Sequence, residues 1–177
     1  MNEEIQKYTE YCLNCPTKLC SNKGCPLNND IPAFIKQVKE GNVKEAYKIL
    51  SKTTVLGAIC GRICPHMKQC EGSCVRGIKG EPVNIGAVEA YVFDEVLKNE
   101  WYKEIEKTNE LKGKRVAVIG GGPAGLTCAN FVARKGADVV IYEKYNHLGG
   151  ILEHGIPEFR LDKNVLEKTI KSILNDG

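Results

Sequence analysis

Eight of the nine cysteines fall into two bursts. The first is Cys12, Cys15, Cys20 and Cys25, the last followed by Pro26; the second is Cys60, Cys64 followed by Pro65, Cys70 and Cys74. Thiolates grouped so closely are ligands of a metal ion or of an iron-sulfur cluster. Further along lies a glycine-rich loop, Gly120-Gly121-Gly122-Pro123-Ala124-Gly125, of the kind whose backbone N–H groups cradle a pyrophosphate. An inorganic redox centre and a dinucleotide on one chain imply electron transfer. The first burst is near to the bacterial ferredoxin run, in which the fourth cysteine serves a second cluster, but is not identical with it. A pair of four-cysteine zinc sites tolerates similar gaps. Irregular gaps, proline after cysteine and the nucleotide loop weigh toward iron and sulfur.

The elements that must position these residues follow from periodicity. Asp30 is expected to cap a helix with Pro32 in its first turn that ends at Gly41-Asn42. Val43, Ala46, Tyr47 and Leu50 make the stripe of a second helix. Asn84 is expected to cap a longer one running to about Glu100, with Ile85, Val88, Val92, Phe93 and Val96 on its buried face. Residues 101–112 are charged and read as a connector. The run Arg115-Val116-Ala117-Val118-Ile119 suits a buried parallel strand. It leads into the loop and then a helix, in which Cys128 is expected to be a small buried hydrophobe. A second strand, Asp138 to Tyr142, ends at Glu143, and a last helix capped by Asp162 runs toward Gly177.

Strand, glycine loop, helix and a following acidic residue together form a specific nucleotide signature. Gly120 permits the tight turn, Gly122 lets the backbone approach the pyrophosphate, and Gly125 lets the helix pack on the strand. Glu143 would accept hydrogen bonds from a ribose diol. The chain is expected to divide near Lys112-Gly113, into residues 1–112 and 113–177. Only two strands can be read in the second part, fewer than the first half of a doubly wound sheet needs, so the sequence looks like a piece of a longer protein.

Net charge is +3, from interleaved Lys and Glu rather than a basic block, which argues against a nucleic-acid partner. No apolar run reaches the roughly 18 residues of a membrane span, and the N-terminus lacks the pattern of a signal peptide. A cytoplasmic location is therefore expected, with reduced thiols, and an odd cysteine count agrees.

The motifs carry a resemblance across essentially the whole chain. Cys12-Leu13-Asn14-Cys15, Gly24-Cys25-Pro26-Leu27, Cys60-Gly61-Arg62-Ile63-Cys64-Pro65, Cys70-Glu71-Gly72 with Cys74, and Val83-Asn84-Ile85-Gly86-Ala87-Val88-Glu89 resemble the N-terminal cluster domain of the glutamate synthase small (β) subunit family. The module is similar to the start of dihydropyrimidine dehydrogenase and of the large subunit of NADH-dependent ferredoxin:NADP oxidoreductase. Gly120 to Leu126, Glu143-Lys144, Leu148-Gly149-Gly150 and Gly155 to Leu161 resemble the family's FAD half-site. The resemblance implies an α-helical double [4Fe-4S] cluster domain followed by the first part of an α/β Rossmann-like FAD-binding domain. It also implies FAD contacts from Gly120, Gly122, Pro123, Ala124, Gly125, Glu143, Lys144, Gly149, Gly150 and Arg160, and NADPH binding in a part of the parent protein not present here.

Carried over from dihydropyrimidine dehydrogenase, the resemblance gives Cys12, Cys15, Cys20 and Cys74 to one cluster. It gives Cys25, Cys64, Cys70 and Glu89 to the other, with Cys60 as a bystander or the alternative fourth ligand. Glu89 stands out on its own account: helical period puts its carboxylate on the apolar face, where an unpaired charge is costly. Cluster ligation or an ion pair with Arg62 or Arg76 would compensate it. Both arginines also flank cluster cysteines and could tune potential. The expected parent is an NAD(P)H-dependent oxidoreductase that passes electrons from FAD through two clusters to a large glutamate synthase-type subunit. A bifurcating ferredoxin:NADP oxidoreductase or another oxidoreductase complex is the second reading, and a non-enzymatic iron-sulfur or metal module the third. No catalytic acid, base or nucleophile is expected in this segment.

Overall fold

The computed structural model describes residues 2–175. It forms two compact units that divide between Lys98 and Asn99. The first is built from short helices. Helix α1 (Glu3–Tyr11) was not anticipated from periodicity; it starts because the Asn2 side chain accepts the Ile5 N–H at 2.8 Å and two glutamates follow in the first turn. Helix α2 (Ile31–Lys39) begins as expected at Asp30, whose carboxylate accepts the Ala33 N–H. It buries Ile31, Phe34, Ile35 and Val38 and packs against α1 and against α3 (Val43–Leu50), which buries Ala46, Tyr47 and Leu50.

Helix α4 (Gly57–Ile63) carries two glycines and little intrinsic helical preference. Tertiary contact explains both its place and its composition. A Cβ on Gly61 would come within 2.6 Å of the Ala90 nitrogen and 2.8 Å of the Gly86 oxygen. Only a bare backbone lets α4 lie directly on α5 (Ile85–Asn99). The latter starts at Asn84, whose side chain accepts the Ala87 N–H at 3.0 Å. Its Ile85, Val88, Val92, Phe93 and Val96 are all buried, and Phe93 meets Tyr47 edge-on with ring centroids 5.6 Å apart.

In the second unit β1 (Arg115–Ile119) pairs in parallel with β2 (Asp138–Tyr142), Arg115 opposite Asp138 through Ile119 opposite Tyr142. The crossover is α6 (Pro123–Arg134), followed by the short α7 (Ile151–His154) and by α8 (Lys163–Leu174), capped by Asp162. The last helix was expected to run toward Gly177, whose surroundings lie outside the described residues. Residues 101–112 are tied into this unit: the Thr108 and Leu111 N–H groups donate to the Arg134 and Lys135 carbonyls, each at 2.8 Å.

Two expectations are corrected. The strand β1 is not buried throughout, because α6 covers one face of the sheet while Ile119, Val140 and Tyr142 project exposed from the other. Cys128 is exposed rather than buried, because α6 turns Leu126, Ala129, Asn130 and Ala133 inward and residue 128 falls outside that stripe. Among the described residues no helix is long and apolar enough to cross a membrane.

Gly61→Ala should lower stability by about 1–3 kcal/mol, the usual cost of forcing extra carbon into a filled contact. Urea unfolding followed by circular dichroism measures it; an unchanged midpoint would mean that α4 and α5 are free to part.

Candidate functional site

The first burst is held by turns. Cys12 closes α1, and Asn14 and Lys18 take left-handed φ of 49° and 45° to wrap Cys15 between them. Cys20 opens a single π-helical turn to Gly24, closed by the Cys25 N–H donating to the Cys20 carbonyl at 2.9 Å. Cys74, from the second burst, precedes a short 3-10 turn, Val75–Ile78. Cys12, Cys15, Cys20 and Cys74 line one apolar-walled pocket with Leu19 and Ile35. Burial pushes the Cys20 thiol up to about 11 and raises that of Cys12. The nearby Arg76 opposes the rise at Cys12. That guanidinium is fixed by Nε donating to the Tyr11 carbonyl at 2.8 Å and by stacking 4.2 Å from the Tyr11 ring centroid.

A second set forms where the two bursts touch. A Cβ on Gly24 would stand 2.7 Å from the Cys70 Cα, so the chain entering Cys25 runs directly against Cys70. Cys60 and Cys64 sit one turn apart on α4 and at its end, and the Cys60 thiol hydrogen-bonds Cys64. That bond, with burial, drives Cys60 far up; at Cys64 the same bond outweighs burial and brings the thiol down to about 7. Cys70 is buried and pushed up to about 12, by burial first and then by Glu71 and Glu89.

Glu89 comes to this place from α5. It is 6% exposed, and burial, with the Cys64 charge, lifts its carboxyl to about 8. Neither arginine compensates it. Arg62 reaches both Asp94 oxygens from Nη2, at 2.7 and 2.8 Å, and Arg76 is engaged at Tyr11. Its hydrogen-bond partner is instead Asn29, which donates from Nδ2 to Oε1 at 3.5 Å. Thr54 also hydrogen-bonds Cys60. Sequence reasoning missed Asn29 and Thr54, because Asn29 reads only as part of a cap and its partner lies 60 residues away.

The donor chemistry fits clusters. Half-buried thiols around an apolar pocket suit the separate iron corners of a cubane. Among the described residues no three His, Cys, Asp or Glu side chains converge closely enough to hold a single metal ion. The second set supplies thiols from Cys25, Cys60, Cys64 and Cys70 as well as the Glu89 carboxyl, one donor beyond the four a cubane takes.

The glycine loop is assembled from three segments. Gly120, at φ +97°, turns the chain off β1, and a Cβ on Gly125 would collide with the Gly120 carbonyl at 1.9 Å. Pro123 then opens α6 with its first-turn N–H groups facing the loop, a ready anion site. Glu143 accepts the Gly121 N–H at 2.7 Å and the Tyr145 N–H at 2.9 Å, which hold its carboxyl below the usual range. The Gly149 N–H donates to the Gly121 carbonyl at 2.7 Å, and Gly150 lies against Gly122. The structure thus gathers Gly120, Gly122, Pro123, Gly125, Glu143, Gly149 and Gly150. Ala124 and Lys144 are exposed beside them, the Lys144 ammonium 4.6 Å from the Tyr145 ring centroid, and Arg160 stands on an exposed turn. A residue not anticipated, Lys163, clamps the end of α7, its Nζ donating to the carbonyls of Leu152, Glu153 and Ile156.

Half-buried thiols in a helical shell, next in sequence to a strand, glycine loop and helix, define an iron-sulfur module joined to a nucleotide-binding unit. Residues 1–101 match the family model described as dihydropyrimidine dehydrogenase domain II, 4Fe-4S cluster, and the chain belongs to that family. Residues 118–165 match an NAD(P)-binding Rossmann-like domain. The chain is similar to the glutamate synthase [NADPH] small chain of Halomonas elongata, 41% identical over 89% of this chain and 33% of the relative. The Escherichia coli K12 small chain is 38% identical over 93% of this chain and 34% of its own length. Glutamate synthase [NADH] of Schizosaccharomyces pombe is 39% identical over 99% of this chain but 8% of its own. Two Escherichia coli proteins named as oxidoreductases match at 41% and 38%. The chain spans about a third of the length of the small-chain relatives.

In metal-free protein the raised Glu89 carboxyl makes a signed prediction. Between its ordinary value of 4.5 and about 8 the folded state holds a proton that the unfolded state releases. Stability therefore falls as pH rises through that window, by up to about 1.4 kcal/mol per unit from this group, and levels above it. Glu89→Gln should remove this component. Urea titrations of chelator-treated wild type and variant at about pH 5, 6.5 and 8 measure the difference, and parallel pH profiles would contradict it.

Proposed function

We propose that the chain is the cluster-bearing and nucleotide-binding end of a flavo-iron-sulfur oxidoreductase of the glutamate synthase small-chain kind. Cys12, Cys15, Cys20 and Cys74 hold one [4Fe-4S] cluster; Cys25, Cys64, Cys70 and Glu89 hold the other. Cys60 stands beside the second as a hydrogen-bond donor to Cys64. FAD binds with its pyrophosphate at the N-terminus of α6, its ribose diol at Glu143, and the Gly149-Gly150 turn against it, with Lys144 and Arg160 completing the set. The observation that carries the reading is the sorting of the donors into two separate sets, each drawing on both cysteine bursts.

When bound, the flavin divides a hydride into single electrons and the clusters relay them. The chain's own residues bind, orient and screen. Apolar walls from Leu19 and Ile35 keep water from the first thiol set. Glu143, already fixed by two backbone N–H groups, has carboxylate lone pairs left for a diol. No side chain here is asked to move a proton for catalysis. NADPH as electron source, and a larger glutamate synthase chain as acceptor, are supported by the names of the small-chain relatives; glutamine and 2-oxoglutarate as that partner's substrates rest on the family resemblance alone. Relatives named as other oxidoreductases favour a second reading, in which the same module serves a different partner.

Anaerobically purified protein should contain roughly eight iron and eight acid-labile sulfide per chain, with little zinc. Zinc with negligible sulfide would leave a structural metal module. Glu89→Ala should alter the EPR signal of one cluster and leave the other; an unchanged spectrum would remove Glu89 from the ligand set.

A further inference from the structure

Asn29 and Thr53 take no part in the ligand sets, yet Asn29 reaches Glu89 and Thr53 reaches Asn29. Asn29 is 4% exposed and lies just before α2. Its Oδ1 accepts the Thr53 hydroxyl at 2.5 Å, while its Nδ2 donates to Glu89 Oε1 at 3.5 Å. We propose that Thr53 and Asn29 form a positioning relay that fixes the Glu89 carboxylate for iron. This rests on the reading of Glu89 as a ligand.

A carboxamide has two nearly isosteric ends of opposite polarity, and only its NH₂ end can face a carboxylate favourably. The Thr53 hydroxyl decides which end that is. Its Oγ1 lies 2.5 Å from Oδ1 and 3.2 Å from the Leu50 carbonyl; with its single proton on the shorter contact it marks Oδ1 as the acceptor and turns Nδ2 toward Glu89. Thr53 is itself held at the end of α3, where its N–H donates to the Leu50 carbonyl at 3.0 Å. The amide-carboxylate contact is long, so the short Thr53 bond is what keeps the amide edge in place. With Oε1 facing Asn29, Oε2 is the oxygen left for the metal. Segments from α3, the turn before α2, and α5 thus meet at one carboxylate, an outer-shell arrangement of the kind that orients metal ligands.

The test uses the loaded full chain, purified anaerobically, as Asn29→Leu, Thr53→Val and Thr53→Ser. Asn29→Leu removes the hydrogen bond from the carboxylate oxygen that faces away from the metal, so charge it had drawn to Oε1 would be shared back to the ligating Oε2. The reduction midpoint of one cluster should move down while the other stays. A chelator should strip iron from that cluster about 10- to 100-fold faster, the usual cost of losing an outer-shell partner. Thr53→Val should shift both readouts in the same direction by less, and Thr53→Ser should restore them. If Asn29→Leu does not yield loaded protein, the Thr53 pair decides alone, since valine is isosteric and serine keeps the hydroxyl. Wild-type midpoints and iron-loss rates in the variants, alongside a Glu89→Ala protein with one altered signal, would overturn the relay and leave the ligand reading intact. No change in Glu89→Ala would overturn the ligand reading itself.

Discussion

The first unit is organised around the crowding of acidic donors out of water. Burial raises the proton affinity of Cys70 and Glu89, and the hydrogen bond to Cys64 raises that of Cys60; the Glu89 charge adds to the rise at both thiols and the Cys64 charge to the rise at Glu89, because they face one another across protein rather than solvent. An unpaired buried charge costs several kcal/mol. Without a compensating cation such a group survives only by keeping protons and sharing them, as Cys60 does with Cys64. Cluster iron held by Cys64, Cys70 and Glu89 would remove the conflict and take the place of their protons. The helices are correspondingly short, and their bare glycine contacts let separate stretches of chain close on the donors.

The second unit solves a different electrostatic problem with other means. A pyrophosphate carries its own charge, and the loop would meet it with backbone dipoles at the start of α6 rather than with lysines. Lys144 is turned out over Tyr145, and Glu143, at the edge of the loop, is an acid held by N–H donors. An anionic cradle edge of that sort repels phosphate and suits a neutral diol. A loop so built would discriminate between two parts of one ligand over a few residues.

Much of this was legible in the sequence, for identifiable reasons. Asp30, Asn84 and Asp162 announced helix starts because capping is a local interaction. The strand-loop-helix was legible because its glycines serve steric needs within a dozen residues. Glu89 was legible because a charge on an apolar stripe is an anomaly in any periodic helix. What escaped depends on contacts distant in sequence. Helix α4 exists through α5, and nothing in Gly57 to Ile63 says so. The Asn29–Glu89 pair joins two segments that no spacing rule connects. Cys128 was misread because a small apolar type was allowed to outweigh its angular position on α6.

The uncovered sheet face has a consequence for anyone handling the molecule. Ile119 is 81% exposed, and it stands opposite Tyr142 with Val140 on the same side. An apolar parallel pair with open edges is a template for further strands from neighbouring molecules. Colloidal behaviour of this 177-residue chain by itself should therefore be governed by the nucleotide-binding unit, whatever the metal content of the other. A preparation could be fully charged with iron and still precipitate, and turbidity would then be a poor guide to the health of the clusters.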